Sequence, residues 1–258
     1  MKDQHLTKLK EWFSVYITRF HSKEHNIHDA LERKIMHTAL VCDNIKIICK
    51  SIKSGQSNTF LAEAAALLHD IGRFPQLDRF GTFVDFKSLD HGTLAVDILL
   101  DENVLSDIPG SEQRCLFTAI KWHNKKEIPN ELQEDELTLL KLLRDADKLD
   151  ILRMFSDYYP VSKTHPNSLL EFGLPESDTC EEGIVNAILD RRIADVMLSK
   201  SLSDIRLSKL SWFYDFNFTE SRKIFKERQY LEHTLAVLPD IPAIRKVAEH
   251  IRKDLKDL

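Results

Sequence analysis

Glycine and proline are scarce. Seven Gly and eight Pro in 258 residues come to about half the roughly 12% share usual in globular chains. A β-sandwich, a Rossmann-type sheet or a disordered tail would each draw on more turn formers, so a mostly helical chain is left. Cysteine is scarce as well. Cys42, Cys49, Cys115 and Cys180 form no CxxC pair, and without an export signal they read as reduced thiols of a cytoplasmic protein. Residues 1–10 are polar and lack the apolar stretch of a signal peptide. No apolar run nears the ~20 residues that span a bilayer, so no membrane partner is expected. A basic tract is missing too: 36 Lys and Arg stand against 41 Asp and Glu, a net charge of −5, which argues against nucleic acid as a partner. Histidine is plentiful by contrast, at 11 residues.

Helical periodicity fills the chain. Leu6, Leu9, Trp12, Phe13, Tyr16, Ile17 and Phe20 recur at three- and four-residue steps and predict an amphipathic first helix. A second helix is expected over 29–51, with Leu31, Ile35, Leu40, Ile45 and Ile48 as its apolar positions, and a third over 60–70, capped by Asn58 or Thr59 and stopped by Gly72. Residues 73–87, with Pro75, Gly81 and three Phe, read as an ordered loop. Helices are expected again near 90–101, 111–123, 134–155, 178–199, 203–216, 219–238 and 242–258. Residues 158–176, carrying Pro160, Pro166, Gly173 and Pro175, are the one candidate boundary. Trp212, Phe213, Tyr214, Phe216, Phe218 and Phe225 suit a layer docked on a neighbour better than a free-standing domain. The expectation is therefore one all-α domain over 1–258 with a C-terminal helical layer over about 177–258.

The chemistry sits in histidines and aspartates. Chance alone supplies about one His-Asp dipeptide in such a composition, and the chain has two, so context decides. His28-Asp29 opens a helix among polar residues, where an acid near the N-terminus is ordinary. The cluster of His21, His25 and His28 reads as an exposed polar linker. His69-Asp70 follows the run Ala64-Ala65-Ala66-Leu67-Leu68, and a charged carboxylate at the edge of a core is costly unless paired or bound to a metal. His37 shares an inward face with Leu40 and Val41. Asp90-His91 opens one helix, His123 ends another, and Asp147 lies in an apolar helical setting. Helical bundles bring such side chains to one interior point. Imidazoles with carboxylates suit Fe, Mn, Zn or Ni, and six ligands favour two divalent ions with Asp70 between them. Asp145 rivals Asp147, but two residues along a helix turn about 200°, so only one of them faces the site.

The order His37, His69-Asp70, His91, His123, Asp147 resembles the HD-domain superfamily of metal-dependent phosphohydrolases, in the branch with two added histidines between the doublet and the last Asp. His69-Asp70-Ile71-Gly72 and Ala146-Asp147-Lys148 are typical of it, and the resemblance covers about 28–155. It implies an HD-type helical bundle in which His37, His69, Asp70 and Asp147 hold a first metal, and His91 and His123 join Asp70 around a second. It also implies hydrolysis of a phosphate ester or anhydride in a nucleotide or small phosphorylated metabolite, with Asp70 orienting a metal-activated water. Arg73 either clamps a phosphate bidentately or pairs with Asp78 or Asp85; Lys34 and Lys148 are further candidates for anion contact. Cyclic-dinucleotide phosphodiesterases of the superfamily carry Lys and a Gly-Tyr-Pro after Ile-Gly, where this chain has Arg73 and no such tripeptide. Stringent-response nucleotide hydrolases are not matched around Lys148-Leu149-Asp150. Two other readings share the ligand set, a diiron oxygenase and a non-catalytic nucleotide-binding regulator. Nothing in the sequence specifies an oligomeric state.

Overall fold

The computed structural model describes residues 1–20 and 25–258, and the side chains of all these except 25, 26, 168 and 169. The described residues hold helices and no strand. In chain order the helices are α1 (Asp3–Ile17), α2 (His25–Ser51), α3 (Gln56–Leu68), α4 (Arg73–Phe80), α5 (His91–Asp101), α6 (Gly110–Trp122), α7 (Glu134–Tyr158), α8 (Ser168–Glu171), α9 (Glu182–Leu189), α10 (Leu202–Leu210), α11 (Thr219–Glu227), α12 (Tyr230–Leu235) and α13 (Pro242–Lys256). Among the described residues none is long and apolar enough to cross a membrane. The chain divides into two compact units, Met1–Asp147 and Lys148–Leu258.

In the first unit α3 is the inner helix, packed by α1, α2 and α6. Its residues Ala62 through Leu68 are all buried, and the run of alanines lets neighbours approach from several sides. The stripe expected on α1 is present: Leu6, Leu9, Phe13 and Tyr16 are buried, and the Tyr16 hydroxyl donates to Ile71 O at 3.0 Å. On α2, Leu31, Ile45 and Ile48 are buried. This helix starts at His25, before the expected 29. His28 is exposed on its first turn, whereas His21 lies outside the described residues.

Residues 73–87 are not simply a loop, which corrects the sequence reading. Arg73–Phe80 is helical, and Asp85–Lys87 forms a 3₁₀ turn. Pro75 is the third residue of α4, where the missing N–H has no intrahelical partner to lose. Gly81 ends the helix at φ +65°, a left-handed conformation that glycine takes without strain. Gly72 serves close approach, since a Cβ there would lie 2.3 Å from His91 O. Gly92 is similar, its would-be Cβ 2.9 Å from Ile120 O. These two contacts let α4, α5 and α6 bring their ends together.

In the second unit α10 packs against α9 and α12, and α13 against α9 and α12. Ile244, Val247, Ala248 and Ile251 form the inward stripe of α13. Phe213, Phe216, Phe225 and Tyr230 are buried, with the Phe225 ring 5.2 Å from Phe213 and 5.8 Å from Tyr230. Of the expected aromatic cluster, Phe213, Phe216 and Phe225 are core, while Trp212, Tyr214 and Phe218 are half-buried. The helix expected over 219–238 is two helices, because Gln229 takes a left-handed φ of 53° between α11 and α12. The helix expected over 178–199 is shorter, ending at Leu189 and followed by a separate 3₁₀ turn, Val196–Leu198.

Candidate metal centre

Five helical segments each deliver one piece. His37 points inward from the middle of α2, His69 and Asp70 follow the last turn of α3, and His91 opens α5. His123 follows α6, and Asp147 lies in α7. Asp90 caps α5 by accepting from Thr93 N at 2.8 Å, which sets His91 in the first turn. Arg144 Nη1 bonds His123 O at 3.2 Å and Lys125 O at 2.5 Å, closing the C-terminal end of α6. Asn44 Nδ2 donates to Ala146 O at 3.1 Å and ties α2 to the turn of α7 that bears Asp147.

All six expected side chains meet. His37 Nε2 lies 3.1 Å from Asp147 Oδ1 and 3.5 Å from Asp70 Oδ2. His69 Nε2 is 3.5 Å from Asp70 Oδ2 and 3.7 Å from Asp147 Oδ1. On the other oxygen, His91 Nε2 is 3.4 Å and His123 Nε2 3.9 Å from Asp70 Oδ1. Asp70 thus sits between two lobes, and Asp147 is the α7 aspartate that reaches His37. Three overlapping triplets could each hold a metal ion: His37, His69 and Asp70; Asp70, His91 and His123; and His69, His123 and Asp147. The third triplet crosses the lobes, so the centre is a single compact cluster.

Hydrogen bonding fixes what the rings present. His69 Nδ1 lies 2.7 Å from Ala66 O, His123 Nδ1 2.7 Å from Ile120 O, and His91 Nδ1 2.8 Å from Asp85 Oδ2. Carbonyl and carboxylate oxygens only accept, so each Nδ1 carries the proton and a neutral ring turns a lone pair inward at Nε2. Burial is the main force keeping these rings neutral. It pulls His69 down to about 4 and His91 to about 3, with Arg73 adding to the effect at His91, and it lowers His123 as well. Yet His91 Nε2 and His123 Nε2 stand 3.0 Å apart, and His69 Nε2 and His37 Nε2 3.3 Å. At His91 and His123 two lone pairs face each other with no proton between them, beside carboxylates that also only accept. Burial alone would raise the Asp70 carboxyl, but the Lys34 ammonium, helped by the Arg73 guanidinium, holds it well below the usual carboxylate range. Asp147 is likewise held down, against burial, by His37 and its neighbours. Divalent cations fit such a donor set.

Cations of the protein flank the cluster. Lys34 Nζ donates to Asp70 Oδ2 at 2.5 Å. Arg73 Nε lies 3.6 Å from Asp70 Oδ1 and has no hydrogen-bond acceptor among the described residues. Of the alternatives weighed for Arg73, the structure shows the pair with Asp85, at 2.8 Å through Nη1. Lys148, by contrast, belongs to the second unit, where its Nζ pairs with Asp215. Sequence reasoning missed Phe83, whose ring lies 5.5 Å from Lys34 Nζ and 5.8 Å from Arg73 Cζ. It also missed Gln76 and Asn124, whose amides donate to Asp85 at 2.9 and 3.0 Å.

No curated protein and no solved structure matches the chain. The family model of the HD domain matches residues 35–152, a span that contains all six residues of the cluster. An HD domain, from a family usually of metal-dependent phosphohydrolases, thus lies in residues 35–152, and its buried His/Asp cluster is a candidate metal centre.

Proposed function

We propose that the protein is a metal-dependent phosphohydrolase that cleaves a phosphate ester or anhydride in a nucleotide or small phosphorylated metabolite. The facing, proton-free Nε2 atoms of His91 and His123 at 3.0 Å, gathered with His37 and His69 around a shared carboxylate, carry this reading. His37, His69, Asp70 and Asp147 would hold one divalent ion, and Asp70, His91 and His123 a second. When bound, such ions supply Lewis acidity and lower the pKa of water towards neutrality.

The chain's own groups do the remaining work. Asp70, kept ionised, offers one oxygen to each lobe, so it orients an attacking water and can take its proton. Lys34 and Arg73 stand on opposite oxygens of Asp70 and neutralise charge growing on the phosphoryl oxygens. The Nε–H of Arg73 is a buried donor without an acceptor among the described residues. Such a group costs about 1–3 kcal/mol, and a phosphoryl oxygen would satisfy it.

The test is a phosphate-release screen over nucleotides and small phosphomonoesters with Mn²⁺, Fe²⁺, Ni²⁺ and Zn²⁺, run beside a His69→Ala variant of unchanged circular dichroism. Turnover by the wild type that the variant loses is the expected result. Equal turnover by both, or oxygen uptake by the iron-loaded protein in place of phosphate release, would overturn the reading.

A further inference from the structure

The acceptors behind the site imidazoles differ in kind. His69 and His123 donate to Ala66 O and Ile120 O, both at 2.7 Å, carbonyls one turn back on their own helices. The helix itself guarantees those acceptors. His91 instead donates to Asp85 Oδ2 at 2.8 Å, a side chain from the separate 3₁₀ turn Asp85–Lys87. That carboxylate is itself held by Arg73 Nη1 at 2.8 Å, Gln76 Nε2 at 2.9 Å and Asn124 Nδ2 at 3.0 Å. Four polar side chains from α4, α5 and the end of α6 therefore converge on one residue that meets the cluster through His91. An anionic acceptor behind an imidazole fixes its tautomer and makes its inner nitrogen a stronger ligand.

We propose that Asp85 is the positioning residue of one lobe: it orients His91 and tethers Arg73, so that one cation subsite depends on the 82–90 segment and the other does not. The inference rests on the metal-centre reading above. It assigns the asymmetry of the site to a residue outside the six-ligand pattern. Backbone carbonyls behind His69 and His123 cannot be lost by substitution, whereas the group behind His91 can.

The experiment is a Co²⁺ titration of chelator-stripped, full-length protein, followed by visible absorption and by calorimetry, with no substrate present. Wild-type protein is expected to bind two ions per chain. Asp85→Ala should weaken one binding event about 10–100-fold, the range for groups that orient a ligand, and leave the other within about twofold. Asp85→Asn, whose Oδ1 still accepts from Nδ1, should recover part of the loss. In a double-mutant cycle, adding Asp85→Ala to His91→Ala should cost nothing further. Asp85→Ala binding with wild-type affinities, whether two ions or one, would overturn the proposal. So would an equal fall in both events with no recovery in Asp85→Asn, which marks a general structural role. Wild-type protein that takes up no Co²⁺ would instead overturn the metal-centre reading itself.

Discussion

Both units bury charge, and they handle it differently. In the second unit every residue of α10 is buried, Asp204, Arg206 and Lys209 included. Asp204 Oδ1 accepts from Glu181 N at 2.7 Å, and its Oδ2 from Lys200 N at 3.0 Å and the Ser201 hydroxyl at 2.9 Å. Arg206 grips Glu176 at 2.7 and 2.8 Å and Val237 O at 3.0 Å. Lys209 has ring faces instead, 4.3 Å from Phe155, 5.2 Å from Trp212 and 5.6 Å from Phe172, and burial lowers its amine to about 8. There Asp204 and Arg206 meet groups of the opposite role, and Lys209 rests on ring faces. In the first unit, lone pairs of His91 and His123 face one another beside two carboxylates, with too few protons to go round. Buried polarity that closes on itself stabilises a fold, whereas buried lone pairs that outnumber the donors facing them suit a cation.

The sharpest way to break this contrast is Asp70→Ala. It removes the group common to both lobes, so Co²⁺ binding and phosphate release should fall by more than the ~10–100-fold that an orienting residue costs, while circular dichroism stays helical. Retained stoichiometric Co²⁺ binding would erase the distinction between the units. Next comes pH. His69 and His91 titrate near 6.5 when unfolded but at about 4 and about 3 when folded, so the unfolded chain takes up protons first. Metal-free stability should be full above pH ~6.5 and fall as pH drops towards ~3, by roughly 2 kcal/mol per imidazole at pH 5. Chelator-treated urea melts at pH 7.5 and 5 read this directly, and coincident midpoints would show the imidazoles to be unperturbed.

Asp204→Ala sharpens the other side. It strands the N–H groups of Glu181 and Lys200, which should cost about 1–3 kcal/mol in urea unfolding and leave Co²⁺ affinity unchanged. A shift in affinity would mean that polarity in the second unit is not purely structural. Smallest of all is Arg252→Ala, which breaks an exposed pair with Glu232 at 2.7 Å. Its melting midpoint should move by the equivalent of about 0.5 kcal/mol or less.

His37, His69, Asp70 and Asp147 were legible because each breaks an otherwise apolar helical pattern, whereas His91 and His123, at helix ends, stood out through the HD-like order of the six residues. His69-Asp70 after five apolar residues is the plainest instance. Asp85 was legible only as a possible ion-pair partner of Arg73. Its bond to His91 joins residues six apart across a turn, and no helical period marks it. Gln76, Phe83 and Asn124 carried no signal, since their partners come from other segments. Helix α4 was missed because Pro75 and Gly81 look like breakers, although one sits in a first turn and the other beyond the end. The break at Gln229 lies in the run Lys226-Glu227-Arg228-Gln229, whose helix-forming residues hide it.

From the order of residues alone came the helical class and the inward stripes, because a 3.6-residue period ties position to facing, and the resemblance to the HD superfamily named the side chains that meet. Tertiary packing settled which lone pairs confront each other and which group stands behind each ring. Those depend on helix ends brought within van der Waals reach at Gly72 and Gly92, a closeness between segments far apart in the chain that no local pattern encodes.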